Sequence, residues 1–112
     1  MDAMDSLVVL VATEPLLYRD VLAGALAVLR PELPVALVDP GALAALLVGS
    51  RRAVVVCSRL TDAVREWACA WIVLDPGGVR PAVTGGPAGG RVIPDAELAA
   101  VVAAVEEAVT VC

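Results

Sequence analysis

The chain has 112 residues, a formal net charge of −5 and a hydrophobic fraction of 60 %. That length fits one domain, residues 1–112, with a core of its own. Without histidine or lysine it cannot build a Ser-His or Cys-His pair or a lysine nucleophile, and without clustered cations it makes a poor partner for nucleic acid.

The apolar fraction exceeds the roughly 45–50 % of ordinary soluble domains. Aromatic residues make up only 3 %, so the core must be Val, Leu and Ala. Either the elements are buried on nearly every side or some apolar surface meets a partner. A membrane span is not expected. It needs about 20 mostly apolar residues, and the longest uncharged stretch runs only from Pro40 to Ser50. The start, MDAMDS, is acidic and lacks the basic flank of a signal peptide, so the expected location is cytoplasmic. Met1 and Met4 are both candidate starts.

Leu7–Ala12 (LVVLVA) is continuously aliphatic, the mark of a strand buried on both faces. Thr13 offers an N-cap and Pro15 suits a first helical turn. A helix then runs to about Arg30, with Leu16, Leu17, Val21, Leu22, Ala25, Leu26 and Leu29 as its apolar stripe. Pro31 and Pro34 end it. Val35–Val38 is a short strand closed by Asp39-Pro40-Gly41, and Ala42–Val48 a short helix. Ala53–Cys57 is the third strand. Ser58 or Thr61 caps a polar helix, Thr61–Trp67. Ala70–Leu74 is a fourth strand, stopped by Asp75-Pro76-Gly77-Gly78.

From there the pattern changes, and six of the nine glycines fall within residues 77–90. Pro81–Thr84 reads as a strand, GGPAGG as a turn, and Arg91–Ile93 as the return of a hairpin. A last helix, Ala96–Val109, presents Leu98, Val101, Val102, Val105 and Val109 inward.

Alternating strands and helices predict an α/β fold. The expected form is a small doubly wound, mainly parallel five-stranded sheet of order 2-1-3-4-5, with a C-terminal hairpin before the last helix. Ligands of such sheets bind beyond the carboxyl ends of the strands, at the switch between strands one and three. Thr13, Glu14, Cys57, Ser58 and Asp75 frame that crevice.

The stretch VVLVATEPLLYRDVLAGAL, the strand ending AVVVCSRLT and the closing PDAEL helix together resemble a response-regulator receiver domain. In that resemblance Thr13 and Glu14 stand where an acidic pair would hold Mg²⁺, and Cys57 stands at the phosphoacceptor. The chemistry is missing. Phosphoryl transfer needs a carboxylate nucleophile, acids for the metal and a cation for the developing charge. Cys57 is no carboxylate, one acid of the pair is lost, and there is no lysine. The resemblance therefore implies a receiver-like domain without phosphorylation, metal or cofactor. Pro76–Arg80 is too short for the family's fourth helix, whose absence would uncover part of one sheet face.

Other motifs carry blander readings. Thr84–Val92 (TGGPAGGRV) has the GxxxxG spacing of a phosphate loop but lacks its Lys and Ser/Thr, which favours a plain hairpin. The odd cysteine count and the lack of close pairs suggest no disulfide framework. Cys57 and Cys69 read as small buried hydrophobes and Cys112 as free. Tyr18 reads as half-covering the core and Arg19-Asp20 as solvated surface. Trp67 and Trp71 read as core, and Asp95, Glu97, Glu106 and Glu107 as the outer face of the last helix. The expected function is a non-enzymatic, self-associating protein–protein interaction domain. The alternative is a small-ligand-binding domain using the crevice at the carboxyl ends of strands one and three.

Overall fold

The computed structural model describes residues 7–13, 16–49, 52–75, 81–86, 89–94 and 97–112. It is an α/β fold with six strands: β1 (Val8–Ala12), β2 (Val35–Leu37), β3 (Ala53–Cys57), β4 (Ala70–Val73), β5 (Ala82–Gly85) and β6 (Arg91–Ile93). Four α-helices accompany them: α1 (Leu16–Leu29), α2 (Leu43–Gly49), α3 (Asp62–Trp67) and α4 (Leu98–Val111). A 3₁₀ turn, Pro40–Ala42, leads into α2, and Asp39 caps it by accepting from the Gly41 amide.

The strands form one mixed sheet in the order β2-β1-β3-β4-β5-β6. The first four positions are parallel. β5 runs antiparallel to β4, and β6 antiparallel to β5. This corrects the expectation of a five-stranded, mainly parallel sheet. The reason lies in the connection. Only Leu74–Pro81 separates β4 from β5, and a parallel crossover needs a dozen residues or more. The chain reverses instead, and no parallel crossover joins the two strands.

The continuous aliphatic runs became the central strands. Every residue of β3 is buried, and β1 is buried from Val9 to Ala12. Successive side chains serve opposite faces. On one face Val9, Val11, Val54, Val56 and Ile72 pack with Leu22 and Leu26 of α1 and Val101, Val102 and Val105 of α4. On the other, Leu10, Ala12, Val55 and Cys57 pack with Leu43 and Leu47 of α2 and Val64 of α3. The α4 stripe is as read, with Leu98 and Val109 at its margin. The α1 stripe is narrower: Val21 and Leu29 are exposed, and the side chains of Leu16, Leu17 and Tyr18 lie outside the described residues.

Cys69 and Cys112 form a disulfide, which corrects the reading of a buried thiol and a free one. β4 and β6 run one way along the sheet and α4 returns the other way. The end of α4 is thereby delivered to the start of β4. Arg52, just before β3, donates from Nη2 to the Cys112 carbonyl at the same end. Arg30 at the end of α1 bridges Glu32 and Glu106 of α4, so Glu106 ties the two helices.

The GGPAGG segment is the β5–β6 turn, in which the Gly89 amide donates to the Gly86 carbonyl. Gly86 has φ +137°, where a side chain would be strained. At Gly85 a Cβ would come within 2.5 Å of the Trp71 indole, so the ring lies over bare backbone. No helix among the described residues is long and apolar enough to cross a membrane.

Candidate functional site at the carboxyl edge of the sheet

β1 and β3 are in register with Ala12 opposite Cys57, and the Leu74 amide donates to the Cys57 carbonyl at 2.8 Å. Thr13, Cys57, Ser58 and Asp75 therefore arrive at one edge, each because it ends or follows a parallel strand. Glu14 lies outside the described residues.

A cleft of about 520 Å³ opens at this edge, a size suited to a small molecule. Ala12, Leu43 and Cys57 form its buried floor. Pro40, Gly41 and Ala44 make one wall, and Ser58, Arg59, Thr61 and Asp62 make the other. Of the residues expected to frame the crevice, Cys57 and Ser58 line this cleft, whereas Thr13 and Asp75 stand outside its lining. The sequence reading missed the opposite wall. Asp39-Pro40-Gly41 follows a strand that also ends at this edge, and that was the available signal.

Thr61 caps α3 by accepting from the Val64 amide at 3.4 Å, as one of the two expected caps. Among the described residues the Thr13 hydroxyl is buried without a hydrogen-bond partner, so no cap by it is seen there. Arg19 is not solvated surface. It is half-buried and donates from Nη1 to the Val38 carbonyl at 2.5 Å, so α1 is fastened to the end of β2. Trp67, expected in the core, is 45 % exposed. Trp71 packs at the margin of the α2–α3 side of the core.

Cys57 is the chemical centre of the receiver comparison, and its environment keeps it inert. Burial pushes the thiol from an ordinary 9.0 up to about 11, with the Arg59 backbone amide partly opposing. A thiolate, not a thiol, is the nucleophile, so Cys57 stays unreactive near neutral pH. Its folded pKa lies above the unfolded one. The resulting stability is whole below pH 9 and is lost as pH rises toward 11. Two units correspond to about 2–3 kcal/mol. Urea titrations at pH 8 and pH 11 should show this loss in the wild type and little of it in Cys57→Ala. Equal losses in both would exclude Cys57 as the cause.

Among the described residues no group of three His, Cys, Asp or Glu is placed to hold a metal ion. Comparison with protein families, with curated proteins and with solved structures finds no match to this chain. The receiver resemblance thus rests on the chain's own pattern.

Proposed function

We propose that the chain is a non-enzymatic, receiver-like interaction domain, not phosphorylated, which self-associates through the open half of its sheet. The observation that carries this reading is a row of valines across three strands. Val73 of β4 is directly opposite Val83 of β5, and Val83 is opposite Val92 of β6. Partners in register share a face, and Val73 packs at the margin of the α2–α3 side. The row therefore leaves the shelter of those helices and runs into the open, with Val83 46 % and Val92 59 % exposed.

β6 is an edge strand, and an unpaired edge is a template for another strand. Two copies related by a two-fold axis at Val92 would extend the same valine row from one sheet into the next, as an isologous contact requires. The inert Cys57 and the lack of lysine and histidine support a role in contact rather than catalysis.

The Cys69–Cys112 bridge favours an oxidising compartment. In the cytoplasm we expect the pair as two thiols.

Sedimentation tests the self-association. Wild type should shift from monomer to dimer with rising concentration. The double variant Val83→Glu, Val92→Glu should remain monomeric with its fold retained, since both side chains are exposed and such changes cost little. A wild type that stays monomeric at millimolar concentration overturns the proposal.

A further inference from the structure

The cleft at the carboxyl edge carries two opposite charges on one wall. Arg59 and Asp62 both line it, and both are exposed. Neither makes an ion pair among the described residues. Their Cα atoms lie at most about 11 Å apart, the reach of three residues of chain, so one small head group can touch both. Beneath them the floor is buried and apolar, made by Ala12, Leu43 and Cys57. Ala12 and Cys57 end β1 and β3, on either side of the point where the strand order reverses. Doubly wound sheets hold their ligands at that position. The two charges restrict what fits. An anion would attract Arg59 and repel Asp62, a cation would do the reverse, and an uncharged molecule would use neither. A head with both charges matches both side chains.

We propose that the cleft binds a free aliphatic α-amino acid, whose ammonium and carboxylate are adjacent and whose body is apolar. The Arg59 guanidinium donates to the carboxylate, a group its planar fork suits. The ammonium donates to the Asp62 carboxylate. The branched side chain lies over Ala12, Leu43 and Cys57, and the cleft of about 520 Å³ holds the whole molecule. The site shares no residue with the valine row, and neither depends on the other.

Thermal midpoints with leucine, isocaproate, isopentylamine and glycine, at ionic strength fixed with sodium chloride, test the site. Isocaproate is leucine without its ammonium, isopentylamine is leucine without its carboxylate, and glycine is leucine without its body. A saturable rise is expected with leucine. Each of the others should bind roughly tenfold more weakly or worse, as loss of a charged hydrogen bond or of a buried side chain implies. Arg59→Gln and Asp62→Asn should each weaken leucine by about the same factor. Both side chains are exposed, so these variants should melt near the wild type without ligand. Ala44→Trp, at an exposed position on the opposite wall, should fill the cleft and abolish the response. No saturable rise with leucine, a response to isocaproate or isopentylamine equal to that of leucine, or a leucine response equal in wild type and all three variants, overturns the site.

Discussion

Opening the Cys69–Cys112 bridge should lower unfolding stability by about 4 kcal/mol. The bond closes a loop of sequence separation 43, and loop-closure entropy for that length comes to about 4 kcal/mol at 25 °C. In a domain of this size that corresponds to a fall of roughly 15 °C in midpoint. It is a large share of a typical total of about 5–15 kcal/mol. The bridge also holds the last turn of α4 against the start of β4, and Arg52 secures the same carbonyl. The effect should match in Cys112→Ser, Cys69→Ser and wild type treated with a phosphine reductant. Thiol trapping and intact mass establish the redox state of each sample. If reduced and oxidised wild type melt together, the bridge contributes nothing to stability. Trapping in the source cell also decides between a disulfide compartment and the cytoplasm.

Leu47→Ala is the second large effect, expected at about 3 kcal/mol within the 2–5 kcal/mol range of such deletions. The helix α2 is about two turns long, and among its described side chains only Leu43 and Leu47 are buried. Leu47 is fully buried, and its neighbour Val48 is 59 % exposed. Val48→Ala should therefore cost about 0.5 kcal/mol or less. Urea unfolding of the two variants measures the contrast. Equal costs would mean that α2 is not anchored through Leu47. Because Leu43 and Ala44 line the cleft, the same anchor sets the position of one of its walls.

Much of the fold was legible because buried parallel strands write themselves as unbroken aliphatic runs. β3 lies at the residues read for it, and β1, β4, α3 and α4 differ only at their ends. The hairpin was legible from its glycines, of which Gly86 takes a left-handed conformation. The candidate site was legible in part. Strand ends identified Cys57 and Ser58, since the carboxyl edge of a parallel sheet collects them. They could not show that Arg19 fastens α1 to the end of β2, because a charge next to Asp20 looks like surface until α1 is placed beside β2.

Local pattern determined the strands, the helices and the inert residue at the end of β3, because side-chain periodicity and turn chemistry act over a few residues. Tertiary structure alone decided three things. It turned β5 against β4, because the connection was too short to cross over. It joined Cys69 to Cys112, because α4 runs back along the sheet. It left Thr13 Oγ1 and Arg19 Nε buried without a hydrogen-bond partner among the described residues, because burial and hydrogen bonding depend on elements far apart in the chain.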